Sequence, residues 1–259
     1  MTNPAKIITS TANPVVKMLK SLSTRKYREE EGLFLVEGAR HVADAVAGGF
    51  TLSILAYADH TNPEQSITEA AAQTLIVTDE ILSRITNRDN AQAVIGAFAL
   101  PRHELTRATD GLWIGLEGIR DPGNLGTIIR TADAAGAAGI ILIGDCCDPY
   151  QPETIRATMG SFARIPIIRV SAADFLSWRT TWRGRVIGTH LNAAAIDYRE
   201  ARYPQSLLLL MGSESAGLSP DITAACDTLV KIPMMGWTES LNLAVSTGIM
   251  LYEIRRELL

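Results

Sequence analysis

The chain has 259 residues, a net charge of −4 and a hydrophobic fraction of 47%, as in an ordinary globular protein of one or two domains. The negative charge argues against a generic nucleic-acid coat, and Cys146, Cys147 and Cys226 form neither a metal-ligand spacing nor a paired disulfide framework. There is no signal-peptide pattern and no apolar run of roughly 20 residues, so we expect a cytoplasmic protein with no membrane span.

The first hundred residues predict a small α/β domain, with a breaker at Pro101 and a boundary near residue 104. Apolar periodicity and glycine punctuation separate its helices from its strands. The predicted helices are 13–30, 39–48, 63–72 and 79–86, and the predicted strands are 32–38, 52–57, 75–77 and 93–99.

Residues 111–259 alternate apolar strands with helices, which is typical of a parallel sheet covered on both faces. The predicted strands are 112–116, 139–143, 165–169, 185–189, 206–211 and 228–232, and the predicted helices are 124–135, 152–161, 172–182 and 240–258. Ligands of such sheets bind beyond the carboxyl ends of the strands, so the loops that follow the strands are the candidate site.

The first 28 residues carry only basic charges, at Lys6, Lys17, Lys20, Arg25, Lys26 and Arg28. They could contact phosphates, or they could form a solvated helix face that is balanced by the acidic residues 29–31. The charge pattern alone leaves both readings open.

Two loops of the second half carry unusual polar residues. Asn124 follows a turn sequence and is a plausible helix N-cap, whereas Arg130 lies within an apolar helix, where it would pair with an acid or direct its guanidinium at a phosphate or hydroxyl. Glu214 lies between Gly212 and Gly217 and could pair with Arg130 or bind substrate.

The last of these loops leads into the final helix. Ser240 is explained as the N-cap of that helix, but Asn242, two residues further on, is unfavourable inside a helix and suggests a functional role.

Taken together, three motifs resemble those of the SpoU/TrmH family, part of the SPOUT superfamily of S-adenosylmethionine-dependent RNA methyltransferases. The motifs are Asn124-x-Gly-x-x-x-Arg130, Gly212-x-Glu-x-x-Gly-Leu218 and Ile232-Pro-Met-x-Gly-x-x-x-Ser-Leu-Asn242-x-x-Val245. The resemblance covers residues 111–259, and residues 34–40 are similar to the start of the family's RNA substrate-binding extension. The departures are minor, with Ser213 where many relatives have Asn and Ser215 where Gly is frequent.

The resemblance implies a catalytic domain with a deep trefoil knot, preceded by a small α/β substrate-binding domain over residues 1–104. It implies a homodimer that transfers a methyl group from S-adenosylmethionine to a ribose 2′-hydroxyl, without a metal. Ribosomal RNA is the favoured substrate and transfer RNA the second.

The resemblance also implies roles for individual residues. Arg130 would engage the target ribose or its phosphate, and Glu214 would hold Arg130 or the substrate. Ser240 and Asn242 would orient ribose and cofactor, and Asn124 resembles the motif's substrate-side amide. The cofactor-binding residues would be Thr189, Met211, Gly212, Ile232, Met234, Ser240 and Leu241. The RNA-binding residues would be Lys17, Lys20, Arg25, Lys26, Arg28 and Arg40.

Two other classes remain as alternatives. A non-catalytic RNA-binding relative would have lost Arg130, Glu214, Ser240 or Asn242, yet all four are present. A nucleotide-binding dehydrogenase would need a Gly-x-Gly-x-x-Gly turn after its first strand, and the sequence following residue 115 does not have that spacing.

Overall fold

The computed structural model describes residues 5–191, 195–256 and 258. Its contacts divide the chain into two compact units. The first unit comprises Met1–Pro101 together with Tyr150–Ala163, and the second comprises Arg102–Pro149 and Arg164–Leu259. The sequence pattern had assigned residues 150–163 to the second domain, whereas their packing belongs to the first unit.

The first unit contains a five-stranded mixed sheet. Its strands are β1 (Lys6–Ile8), β2 (Leu33–Glu37), β3 (Leu52–Ala58), β4 (Gln73–Val77) and β5 (Val94–Ala99), in the spatial order β1-β4-β3-β5-β2. The first three strands in this order run parallel, and β5 runs antiparallel to both of its neighbours. The short edge strand β1 was not predicted from the sequence.

Helices cover both faces of this sheet. They are α1 (Pro14–Ser21), α2 (Arg25–Glu31), α3 (Ala39–Ala47), α4 (Gln65–Ala70), α5 (Asp79–Thr86) and, from the inserted segment, α7 (Pro152–Ala157). One core layer includes Val16 and Leu19 of α1 with Leu82 of α5. The other buries Phe34 with Phe162 of the inserted segment, which explains why that segment belongs to this unit.

The helix predicted over residues 13–30 is in fact two helices, because the chain turns between α1 and α2. Ser21, Ser23 and Thr24 favour turns and caps over helix interiors. Arg28 stabilises the turn: it is 2% exposed, and its Nη1 donates a hydrogen bond of 2.7 Å to the carbonyl oxygen of Leu22. The single-helix prediction is therefore wrong at residues 22–24.

The second unit contains a seven-stranded sheet in which every strand runs parallel to its neighbours. Its strands are β6 (Leu112–Glu117), β7 (Gly139–Ile143), β8 (Ile167–Val170), β9 (Arg185–Thr189), β10 (Ile196–Asp197), β11 (Leu207–Met211) and β12 (Thr228–Lys231). All five residues of β11 are buried, as expected for a central strand covered on both faces. The prediction of a parallel α/β sheet is confirmed.

The strand order of this sheet, β10-β12-β9-β11-β6-β7-β8, does not follow the chain. The chain moves from β6 outwards to β8, crosses to β9, and then inserts β11 between β9 and β6. Consequently the carboxyl ends of β12, β9 and β11 are adjacent. Such a reversal of strand order is where ligands of open parallel sheets bind.

Four helices complete the second unit, namely α6 (Pro122–Ala134), α8 (Ala172–Arg179), α9 (Pro220–Ala224) and α10 (Leu243–Arg255). The short helix α9 and strand β10 were not predicted. The last helix, α10, packs against α6, where Arg255 donates hydrogen bonds to the carbonyl oxygens of Ala135 (3.0 Å) and Gly136 (2.7 Å). None of the helices in the described ranges is both long and apolar enough to cross a membrane.

The role of Arg28 predicts a stability difference between two arginines of α2. Arg28→Ala leaves the buried carbonyl of Leu22 without this donor, so we expect a loss of about 2 kcal/mol in the free energy of unfolding. The control is Arg25→Ala, which removes an exposed i,i+4 pair with Glu29 and is expected to cost less than about 0.5 kcal/mol. Urea denaturation followed by circular dichroism measures both; equal losses would contradict the structural role of Arg28.

Candidate active site

A cavity of about 410 Å³ lies at the adjacent carboxyl ends of β9, β11 and β12. This volume is within the range of small-molecule binding sites. All seven residues expected to bind the cofactor line it, namely Thr189, Met211, Gly212, Ile232, Met234, Ser240 and Leu241. The sequence had not singled out Glu239 and Ser246, which also line the cavity.

The loop after β11 folds back closely on its own start. The amide of Gly217 donates to the carbonyl oxygen of Ser213 (2.9 Å), and Gly217 has a φ of +66°. A Cβ atom placed on Gly212 would lie 2.0 Å from the carbonyl carbon of Gly217. Because the obstructing atoms belong to the backbone, only glycine fits at position 212 without moving this wall of the cavity.

The far end of the same loop is fixed to β6. The carboxylate of Glu117, the last residue of β6, accepts a hydrogen bond of 2.8 Å from the backbone amide of Ser219. Sequence analysis overlooked Glu117. The sequence shows Glu117 only as an acidic residue at the end of an otherwise apolar strand. Because many strands end in this way, the pattern did not indicate a role for it.

Three motif loops are joined by one chain of side-chain hydrogen bonds. Asn124 donates from Nδ2 to Oε1 of Glu214 (2.5 Å), and its Oδ1 accepts from Nδ2 of Asn242 (3.0 Å). The Oδ1 of Asn242 in turn accepts from the backbone amides of Ala244 (2.9 Å) and Val245 (3.2 Å). The side-chain amides of Asn124 and Asn242 therefore each use their oxygen as an acceptor and their nitrogen as a donor. Only one orientation of each side-chain amide makes all of these hydrogen bonds.

This arrangement corrects two expectations about helix starts. Asn242, not Ser240, is the N-cap of α10, because its side chain accepts two first-turn amides. Asp121, not Asn124, is the N-cap of α6, since its Oδ1 accepts from the amide of Asn124 at 2.6 Å. Asn124 is thus one turn inside the helix, where its side chain is free to reach Glu214.

Arg130 is exposed on α6 and shares a helix face with Thr127, three residues before it, whereas Asn124 lies six residues before it and about 120° away around the helix axis. Within the described residues, the Arg130 side chain makes no hydrogen bond or ion pair. The expected pairing of Glu214 with Arg130 is not formed, because Glu214 is bonded to Asn124. The guanidinium of Arg130 is therefore available to an external anion or hydroxyl.

Two residues at the end of β9 contribute to the cavity. Thr189 donates from its hydroxyl towards the carbonyl oxygen of Leu210 (3.4 Å) and the sulfur of Met211 (3.5 Å), which ties β9 to β11 beside the cavity. His190, the residue that follows β9, lines the same cavity.

The thiols are unsuited to nucleophilic chemistry at neutral pH. Burial raises the pKa of Cys147 to about 12 and that of Cys226 to about 12, and it raises the pKa of Cys146 as well. All three cysteines are free and stay protonated near pH 7. Among the residues that the structure describes, no group of three His, Cys, Asp or Glu side chains could hold a metal ion.

The six basic residues expected to bind RNA lie in the first unit, in different environments. Arg28 is buried against the turn between α1 and α2, so its expected RNA contact is corrected to a structural role. Arg25 and Lys26 are exposed but face Glu29 (2.8 Å) and Glu30 (3.7 Å). The remaining three, Lys17, Lys20 and Arg40, are exposed.

The cavity has the properties that S-adenosylmethionine requires. Apolar side chains such as Met211, Ile232 and Leu241 offer surface for an adenosyl group, and the Gly212 wall lets the backbone approach a ligand closely. Glu214 and Glu239 supply negative charge for a cationic ligand.

Each half of the chain matches a known protein family. Residues 111–252 match the SpoU rRNA Methylase family, and residues 13–96 match the MRM3-like substrate binding domain. The three motifs and the whole cavity lie within the first of these matches.

Three relatives match along nearly the full chain. The 23S rRNA (guanosine(2553)-2′-O)-methyltransferase RlmP of Bacillus subtilis is 31% identical over 96% of this chain and 99% of its own. The 23S rRNA (uridine(2479)-2′-O)-methyltransferase of Streptomyces viridochromogenes is 31% identical over 91% and 87%. A crystal structure of an AdoMet-bound rRNA methyltransferase from Sinorhizobium meliloti superposes with a TM-score of 0.93 at 42% identity, covering 98% of this chain and 99% of that one.

These matches and the geometry of the site lead to the same conclusion. The chain belongs to the SpoU rRNA Methylase family, and the expectations of S-adenosylmethionine as cofactor and RNA 2′-O-methyl transfer as activity are confirmed.

Proposed function

We propose that the chain methylates a ribose 2′-hydroxyl of 23S ribosomal RNA. The observation that carries the proposal is the hydrogen-bonded chain Asn242–Asn124–Glu214 beside the glycine-walled cavity, because it assembles three separate loops into one polar site. Two relatives of nearly full length are named for 23S rRNA, which supports this substrate. Their names specify different nucleotides, so the position methylated is particular to each enzyme.

The cofactor would be held by Thr189, Met211, Gly212, Ile232, Met234, Ser240 and Leu241, which line the cavity. S-adenosylmethionine supplies an electrophilic methyl group on a positively charged sulfur. The residues of the chain would bind and orient that group while excluding water from one side of it. Glycine at position 212 matters most here, because any side chain would push the loop wall into the cavity.

Arg130 would engage the target ribose or its phosphate. A guanidinium is protonated at all ordinary pH values, so a direct role as base is disfavoured. Instead, Arg130 would stabilise the negative charge that develops on the 2′-oxygen as its proton leaves. Arg130 lies about 9 Å along α6 from Asn124, and because helical side chains lean towards the N-terminus of their helix, its long side chain would extend back towards the polar chain.

Glu214, Asn124, Asn242 and Ser240 would orient the ribose and cofactor. The hydrogen bonds among Glu214, Asn124 and Asn242 fix these three side chains before substrate arrives, and such preorganisation reduces the reorganisation that the reaction would otherwise need. Glu214 would accept from a ribose hydroxyl with its second carboxylate oxygen.

We also propose that the second unit is knotted and dimeric, with α6 and α10 at the dimer interface. The dimer is supported by an apolar stripe on α10, where Val245 and Tyr252 are 52% and 50% exposed and Ile249 is half-buried between them. Of the other apolar residues of this end of the chain, Leu251 is buried in the core of its own unit and Leu258 is exposed. Sedimentation of the full-length protein as a monomer would contradict the dimer.

The first unit would bind RNA through its exposed basic residues Lys17, Lys20 and Arg40, whereas Arg25 and Lys26 are each paired with a glutamate and would contribute little. A ribosomal RNA substrate would place this work in the cytoplasm. Phosphate contacts of this kind would weaken as the salt concentration rises.

Replacement of Gly212 tests the cavity wall. We expect Gly212→Ala to lower the affinity for S-adenosylmethionine at least about tenfold, because its Cβ would collide with backbone atoms. The matched control is Gly248→Ala on α10, outside the cavity lining, where a Cβ would make an ordinary contact of 3.7 Å with Cγ2 of Thr131. Isothermal titration calorimetry measures the affinity of both variants for S-adenosylmethionine. Equal affinities would contradict the proposed role of Gly212 in the cavity wall.

Replacement of Arg130 tests the catalytic proposal. We expect Arg130→Ala to lower the rate of methyl transfer to 23S rRNA about 100-fold or more, with little change in S-adenosylmethionine affinity. The control is Arg183→Ala, which removes another exposed arginine just before β9, on the side of the sheet where this strand begins and away from the cavity at its carboxyl end. Transfer of a radiolabelled methyl group measures both variants. A normal rate in the Arg130 variant would contradict the proposal.

A further inference from the structure

A second cavity lies in the first unit, away from the methyl-transfer site. It has a volume of about 350 Å³ and lies where α1 and α5 pack together. Its lining residues are Thr11, Ala12, Val16, Lys17, Lys20 and Arg84. Three of these six are cationic and none is acidic.

We infer that this cavity binds a phosphate group of the RNA backbone. The inference rests on the proposed function, because it identifies where the substrate RNA of that reaction is held. It adds Arg84, which nothing in the sequence pattern connected with RNA, and it restricts the basic N-terminal segment to Lys17 and Lys20 as phosphate contacts.

The packing of α1 on α5 brings the three cations together. Lys17 and Lys20 are three residues apart on α1 and therefore share a helix face. Val16 and Leu19 on the neighbouring face are buried against α5, where Leu82 belongs to the same core layer. Arg84 follows on the exposed side of α5 and completes the group. The hydrophobic contact thus fixes the relative positions of three charges from two helices.

The three cations of the cavity form no ion pair in the described part of the chain, although Glu80 lies four residues before Arg84 on α5. By contrast, Arg25 and Lys26 each face a glutamate one turn away. The protein as a whole carries a net charge of −4. Three uncompensated cations around one concave surface repel each other unless an anion joins them, so the site is suited to an anionic ligand.

The chemistry of the lining favours phosphate among anions. An arginine can donate two parallel hydrogen bonds to phosphate oxygens, and lysines add mobile point charges. The Thr11 hydroxyl, at the mouth of α1, is a further donor. RNA presents phosphates in a row, so one cavity of this kind would position the substrate without reading its sequence.

The test compares two double variants matched in charge and composition. Lys17→Ala with Arg84→Ala removes one lysine and one arginine from the cavity. Arg25→Ala with Lys26→Ala removes one of each from α2. Binding of the full-length protein to in vitro transcribed 23S rRNA is measured by filter binding over a range of salt concentrations.

For the cavity variant we expect affinity to fall about tenfold near 0.1 M salt, and the slope of log affinity against log salt to fall by about 1.4 to 1.8. The α2 variant is expected to lose less than about threefold, because its charges are already compensated. S-adenosylmethionine affinity and the circular dichroism spectrum should be those of the unchanged protein. The rate at saturating RNA should also be unchanged, so the effect appears in KM.

Equal losses in the two variants would overturn the inference, because they would show a diffuse charge effect instead of a site. Unchanged RNA affinity in the cavity variant would overturn it too, while methyl transfer by the unchanged protein would leave the proposed function standing. Titration with inorganic pyrophosphate tests whether the cavity binds a free phosphate compound instead of the RNA backbone. Tight pyrophosphate binding that is lost in the cavity variant, together with unchanged RNA affinity, would assign the site to that ligand and contradict RNA binding.

Discussion

The site depends on the side-chain amide of Asn124. It contacts Glu214 on one side and Asn242 on the other, and these two residues belong to loops that follow different strands of the parallel sheet. The side-chain oxygen of Asn242 accepts from the first backbone amides of α10, and this directs its side-chain nitrogen towards Asn124. Hence the cap that begins the last helix also fixes the orientation of the polar chain. A substitution at Asn124 would break both of these hydrogen bonds, whereas a substitution at Glu214 or Asn242 would break one of them.

The order of strands makes this convergence possible. Because β11 is inserted between β6 and β9, the loop after β11 lies next to the loop after β6 and the end of β9. Glycines allow the close packing that follows: a Cβ on Gly212 would meet the backbone of residue 217, and one on Gly188 would lie 2.6 Å from the sulfur of Cys226. The cavity therefore results from backbone geometry, with side chains adding polarity and charge at its rim.

Much of the second unit could be predicted from the sequence, because its strands are continuously apolar and its motifs have fixed spacing. The resemblance of these motifs to the SpoU/TrmH family implied seven cofactor-binding residues, and all seven line one cavity. Local pattern could not give the bonding partner of Glu214, since Asn124 and Arg130 lie on the same helix and tertiary geometry selects between them. It likewise missed that residues 150–163 pack with the first unit, because Phe162 finds its partner Phe34 far along the chain. The basic segment shows the same limit: whether Arg28 is buried or Lys17 exposed depends on a turn that sequence periodicity did not resolve.

The polar chain and its cavity would deliver a methyl group to a ribose hydroxyl of 23S rRNA. Nucleotide-resolution mapping of 2′-O-methylation tests this directly, after purified protein and S-adenosylmethionine are incubated with unmodified 23S rRNA and, separately, with total transfer RNA. We expect one 23S rRNA nucleotide to become methylated, with no change in transfer RNA. Methylation confined to transfer RNA, or to a base instead of a ribose, would contradict the account.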